Sequence, residues 1–361
     1  MLTRRRFAAD FVATSALTLS ALSAPHIARA QDQPKKIRIG IAEAGLGGRP
    51  YSFGNTVSVV HVQGLLEREF SKDGTAIEWH FYAGAGPAVN EALANNALDF
   101  VWQGDLPQYV ARSRGLDTRQ LWVDGNRLPV YVAVSKKSSI TDLAGLKGKT
   151  VANFQGTSLE LSVDRILASV NLTEADLQII NLDQITATQA VIEGQIDATF
   201  LAFGLPPQAA KMLRVIYHAG ADNPAFTQQA SALTTGAFAA AYPDAVARVA
   251  KVQVNAAHWA SLPENTAALY DIWGKSGYPV PMLKAIYQIT DLKQFTSPLW
   301  DPFQLAQMQR SAADAFKYGL IRTAVDTTHW IDHAPLDGAL AASGLTHYWP
   351  QFAADGTTRL V

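Results

Sequence analysis

Two short runs in this sequence combine residue types that can hold a small anion without a metal or a lysine. The first is Gln103-Gly104-Asp105-Leu106-Pro107, in which Gly104 permits a tight turn, Asp105 can cap a helix and Pro107 fits its first turn. The second is Gln155-Gly156-Thr157-Ser158-Leu159-Glu160, where Thr157 and Glu160 have the spacing of a capping box. Each run follows an apolar strand pattern and opens a helix. Helix starts of this kind point unpaired amides and the positive end of a dipole at whatever lies in front of them. Each terminus contributes about 0.3–2 kcal/mol and each hydrogen bond to a charged oxygen about 1.5–3 kcal/mol, so two termini with a few donors approach the roughly 8 kcal/mol of a micromolar complex. Asp105 is either neutralised by its own helix amides or holds an amine on the ligand. Arg49, after the first strand, is a candidate counter-charge or a solvated loop arginine. Phe203 and Trp102, near strand ends, either cover a ligand tail or belong to the core.

Other chemistries fail on residue count or spacing. No cysteine occurs anywhere, which removes disulfides, thiolate nucleophiles, cysteine-held metals and a lipid-modified cysteine. Gly148-Lys149-Thr150 ends like a phosphate-binding loop, but Leu143 stands where its first glycine belongs. Gly84-Ala85-Gly86 opens like a dinucleotide fingerprint, but Val89 takes the third glycine position. His329, Asp332 and His333 lack further ligands nearby, so no metal is expected. Neither Gly-x-Ser-x-Gly nor His-Glu-x-x-His occurs, and no assembled nucleophile and base is found. The expectation is a binding protein, without cofactor and without catalysis.

The elements that must position the two runs form a repeated unit. Strand patterns at Lys36 to Ala42, Ile77 to Tyr82 and Leu98 to Trp102 are separated by helices, one carrying Val59, Val62, Leu65, Leu66 and Phe70, the next started by Pro87. The same order returns with strands at Thr150 to Phe154, Gln178 to Asn181 and Ile196 to Leu201, around helices through Leu159, Val163, Ile166, Leu167 and Val170 and through Ala190 and Val191. Ala92, Leu93, Leu98 and Asp99 reappear at one constant offset as Ala190, Val191, Ile196 and Asp197. Crossing strands are predicted at Leu128 to Val134 and near Ala230 to Phe238, with helices beyond, one from Leu305 to Tyr318. This predicts an α/β chain with two lobes: residues 35–132 plus 232–330, and residues 133–231, with residues 331–361 packing on them. Each lobe is expected to be a mostly parallel sheet flanked by helices, with a cleft at the carboxyl ends of the strands.

Residues 1–30 read as an export signal. Thr3, Arg4, Arg5, Arg6 and Phe7 precede a short apolar stretch, and Ala28-Arg29-Ala30 forms a cleavage site, in an arrangement similar to a twin-arginine signal. Its removal takes four arginines and one aspartate from the 30 basic and 31 acidic residues, leaving a net charge of about −4. That balance, with no basic cluster, argues against a nucleic-acid or anionic-membrane partner. A soluble periplasmic monomer without a lipid anchor is expected.

The sequence also resembles a known family. Gly86-Pro87-Ala88-Val89-Asn90-Glu91-Ala92-Leu93, Leu98-Asp99-Phe100 and Gly104-Asp105-Leu106-Pro107 are similar to the periplasmic solute-binding proteins of aliphatic-sulfonate importers, within the nitrate, sulfonate and taurine group. So are Leu146-Lys147-Gly148-Lys149-Thr150-Val151, Gly156-Thr157-Ser158, Ala312 to Ile321 and Trp330-Ile331-Asp332. The resemblance implies a type II periplasmic-binding-protein fold, a ligand between the lobes, and a membrane permease with a cytoplasmic ATPase as partners. It implies a small anionic solute, foremost an aliphatic sulfonate, with taurine, nitrate or a pyrimidine precursor as alternatives. The loop with Arg49, Tyr51 and Phe53 has no counterpart in that pattern. Enzymes also occur among relatives of this fold, but the desulfinases among them use a cysteine, which this chain lacks.

Overall fold

The computed structural model describes residues 33–220, 223–287 and 291–360; the expected export signal lies outside them. The first half of the chain contains β1 (Lys36–Ile41), α1 (Val57–Val62), α2 (Leu65–Phe70), β2 (Ala76–Phe81), α3 (Ala85–Ala94), β3 (Phe100–Gly104), α4 (Asp105–Ser113) and β4 (Thr118–Val123). There follow β5 (Val130–Ser135), β6 (Thr150–Asn153), α5 (Ser158–Ala168), β7 (Gln178–Asn181), α6 (Gln184–Glu193), β8 (Ala198–Leu201), β9 (Leu213–Ala219) and β10 (Ala230–Thr235). Helices α7 (Gly236–Ala241), α8 (Pro243–Ser261), α9 (Thr266–Gly274), α10 (Val280–Tyr287), α11 (Leu292–Phe295), α12 (Pro302–Lys317) and α13 (His333–Ala342) complete the described chain.

The strands form two five-stranded sheets, β2-β1-β3-β10-β4 and β7-β6-β8-β5-β9. Alternation explains β1, whose Ile37, Ile39 and Ile41 sit in the core of the first sheet. Both sheets are mostly parallel, each with one reversed strand. In the first, β1 pairs in parallel with β2 and β3, but β10 runs antiparallel to β3 and β4. In the second, β6 pairs in parallel with β7 and β8, but β5 runs antiparallel to β8 and β9. The reversed strand in each is the one reached from the other sheet, so no crossover helix sets its direction. The crossings themselves lie just before the predicted strands: β5 and β10 already belong to their sheets, and residues 124–129 and 223–229 carry the chain across. Leu128 and Gln228 exchange backbone hydrogen bonds of 3.0 and 2.9 Å, tying the two crossings together.

The sequence echo has a structural counterpart. The Asp99 carboxylate accepts the Arg38 amide at 2.8 Å, and the Asp197 carboxylate accepts the Thr150 amide at 2.9 Å. Each aspartate thereby ties the start of its own strand to the base of the neighbouring strand. One expected helix is instead two: Gly64, at φ 59°, breaks the run between α1 and α2. Helix α5 is buried on both sides. Leu159, Val163, Ile166 and Leu167 pack on the second sheet, while Leu161 joins Leu106, Tyr109, Met308 and Trp330 against α4 and α12. Arg165, 4% exposed, crosses the same contact and donates to Asp314 at 2.7 Å and to Ser311 at 3.0 Å.

Candidate functional site

A cavity of about 480 Å³ opens where β1 and β3 of one sheet face the starts of α5 and α6 on the other. From the first side it is lined by Glu43, the loop Gly45–Gly48, Phe53, Asn55, Trp102, Gln103, Gly104 and Asp124. From the second come Phe154, Thr157, Ser158, Asp183, Ile185 and Phe203, and Tyr278 and Tyr287 close it from the helical region. Leu46 and Ile185, each nearly half exposed, give it apolar margins from opposite sides.

The two glycine-containing runs meet here. A methyl group built on Gly104 would stand 2.6 Å from Ser158 Oγ and 2.7 Å from its Cβ, so the bare backbone of Gly104 permits the approach. The second helix start is capped by Thr157, whose side chain accepts the Leu159 amide at 3.3 Å. Glu160 does not complete a reciprocal box. Its carboxylate accepts the amide of Gly156 at 2.6 Å, one residue before the cap. Among the described residues the Ser158 amide has no hydrogen-bond acceptor, and the Ser158 hydroxyl donates to Gln228 at 3.0 Å. One free donor therefore faces Gly104, at the positive end of an eleven-residue helix.

The first run behaves differently from its expected role. Gly104, not Asp105, is the cap of α4. The Asp105 amide donates to the Gln229 carbonyl at 2.9 Å, and the Leu106 amide donates to the Asp105 carboxylate at 2.8 Å. Two amides of α4 are thus already taken, whereas the Ser158 amide of α5 is not. Asp105 turns away from the cavity toward Ser311, which donates to it at 2.9 Å; burial lifts its carboxyl to about 6, against the nearby Arg165.

Of the residues singled out in the sequence, Gln103, Gly104, Thr157, Ser158 and Phe203 line the cavity, and Asp105, Gln155, Gly156 and Arg49 do not. Gln155 turns to Glu174, at 3.3 Å, and its amide to Asn181. Arg49 is exposed and lies against Gly277. Phe203, from the second sheet, packs on the core of the first.

Sequence reading missed the acidic side of the cavity. Asp124 accepts the Thr56 and Val57 amides at 3.0 and 3.2 Å and the Thr56 hydroxyl at 2.6 Å, capping α1 across the chain. Asp183 caps α6 through the Ile185 and Thr186 amides at 3.0 and 3.1 Å; its place before the helix was a readable signal. Glu43 caps nothing. Burial pushes its carboxyl up to about 8, with the Phe53 amide and Asn55 pulling the other way. Among the described residues, no lysine, arginine or histidine lines the cavity. Among the described residues no group of three or more histidines and acids is placed to hold a metal ion, and no helix is long and apolar enough to cross a membrane.

This geometry agrees with what the chain is similar to. A Bacillus subtilis protein named as an aliphatic sulfonates-binding protein is 29% identical over 63% of this chain and 66% of its own length. An Escherichia coli protein of the same name is 28% identical over 47% of this chain and 50% of its own length. The chain thus spans between half and two thirds of these curated relatives. A solved structure from Methylobacillus flagellatus, titled a periplasmic sulfonate-binding protein SsuA of a sulfonate ABC transporter, superposes with a TM-score of 0.76 at 25% identity, covering 90% of this chain and 98% of that one. The two mixed sheets with a cavity between them are therefore the two-lobed α/β fold of periplasmic binding proteins. Residues 70–265, more than half of the sequence, match the model described as NMT1/THI5 like, and the chain belongs to that family.

Proposed function

We propose that this protein captures an aliphatic sulfonate in the cavity between its sheets and delivers it, as a soluble periplasmic monomer, to the permease and ATPase of an ABC importer. The observation that carries the reading is the unpaired Ser158 amide at the start of α5, facing the bare backbone of Gly104 inside a cavity with apolar margins. A sulfonate presents three acceptor oxygens and no donor, which suits a helix start, and an alkyl tail suits Leu46, Ile185, Phe154 and Phe203. Asp124 and Asp183 are each held by the amides of a helix start, and the Glu43 carboxyl, raised to about 8, is largely neutral at neutral pH, which limits the negative charge in the wall. The names of the relatives point to the same solute class.

A thermal-shift and calorimetric series with alkanesulfonates, taurine, sulfate, nitrate and bicarbonate tests this. A ligand that binds only the folded chain stabilises it by about 2.7 kcal/mol at a hundredfold excess over its Kd, so sulfonates raise Tm most. Stabilisation by a neutral or purely cationic compound, with none from any sulfonate, overturns the reading.

A further inference from the structure

The cavity wall holds an acceptor as well as the Ser158 donor. Glu43 lies just beyond β1, and a single oxygen, Oε2, accepts both the Phe53 amide at 3.0 Å and Asn55 at 3.2 Å. Its Oε1 accepts no hydrogen bond from any described residue. Around Glu43 stand aromatic rings, with the Phe53 and Tyr278 centroids 4.8 Å apart and Phe53 and Tyr287 6.3 Å apart. The titratable groups that face it are Asp124 from beyond β4, Tyr278 from the segment before α10 and Tyr287 from α10; none is a cation. A solute bearing only a sulfonate and an alkyl tail satisfies the donor and leaves the free Glu43 oxygen unpaired.

We propose that Glu43 is a specificity-determining residue of this cavity, taking the ammonium group of an aminoalkanesulfonate between its free oxygen and the rings of Phe53 and Tyr278. The proposal rests on the sulfonate reading above and narrows it to zwitterions. An ammonium brings three donors, one of them for Glu43, and its charge is attracted to ring faces. The neutral state of Glu43 in the free protein, with its carboxyl at about 8, fits this role. The docking ammonium makes the carboxylate the favoured form, and the proton of Glu43 leaves to solvent as the ligand enters. No covalent bond changes.

Calorimetry on the full chain near neutral pH, with propanesulfonate and aminopropanesulfonate in buffers of different ionisation enthalpy, tests the proposal. The amino compound binds at least about tenfold tighter and releases close to one proton. Glu43→Gln brings the two ligands to similar affinity and abolishes the release, and Tyr278→Leu narrows the gap from the ring side. Circular dichroism and Tm report whether each variant is folded. Equal or tighter binding of propanesulfonate to the wild-type protein, or a preference that survives Glu43→Gln, overturns the ammonium site while the sulfonate reading stands. If neither sulfonate binds, propylamine and diaminopropane separate the two ideas. Binding that Glu43→Gln abolishes keeps the ammonium site and removes the sulfonate reading, and no binding removes both.

Discussion

At the scale of single residues, the closest approach across the cavity is between an atom that is missing and one that is present. Gly104 contributes backbone alone, and Ser158 fills the space that a side chain would take. Gly104→Ala forces the two walls apart by several tenths of an ångström or turns the Ser158 side chain off its bond to Gln228. The substitution is expected to weaken sulfonate binding about tenfold, with a smaller effect on Tm, because the strain is confined to the cavity. Titration calorimetry checks it, and unchanged affinity removes this contact from the site. Gly104, Ser158, Thr157, Gln103 and Phe203 were legible in the sequence because strand ends and helix caps have local signatures. Glu43, Tyr278 and Tyr287 were not, since they come from loops and a distant helix and meet only through the tertiary fold. Asp105 misled for a related reason: its spacing fits a cap, but Ser311 and Arg165, far along the chain, draw it away.

Among the elements, α5 links the cavity to the core. Its start is fixed by Thr157, whose hydroxyl donates to the Phe154 carbonyl at 2.7 Å while accepting the Leu159 amide. Thr157→Ala removes both bonds and is expected to cost about 1 kcal/mol of stability, read as a lower urea midpoint. Affinity for sulfonates falls with it, because the Ser158 amide is no longer held in place. Thr157→Ser restores both, which separates capping from bulk. Eight of the ten strands were legible to within about three residues, since apolar alternation is a local pattern, whereas β4 and β9 were not anticipated. The direction of β5 and β10 was not, because it depends on which sheet the chain arrives from. The burial of Glu160, Asp164 and Arg165 on the second face of α5 was also hidden, since their polarity reads as a solvated face until α4 and α12 are packed against it.

For the whole molecule, the repeat of one strand and helix order predicted two similar sheets, and the paired Asp99 and Asp197 contacts show how far the likeness extends. What no local pattern conveys is how many acids the assembled fold shields from water. Burial lifts Glu43 to about 8, Asp164 to about 7 beside Glu174 and Glu160, and Asp105 to about 6. Each is protonated in the folded chain at pH values where the unfolded chain has already ionised it. The folded state therefore binds more protons across that window, and stability falls as pH rises from the ordinary carboxylate range to about 8. Each such group removes up to about 1.4 kcal/mol per pH unit while the window lasts. Urea midpoints measured from mildly acidic to mildly alkaline buffer are expected to decline steadily and then level off. Asp164→Asn and Glu43→Gln should each flatten the decline, Asp164→Asn without changing ligand preference, because Asp164 lies outside the cavity lining. A midpoint that rises over the same range would overturn the reading that these buried acids hold their protons in the folded chain.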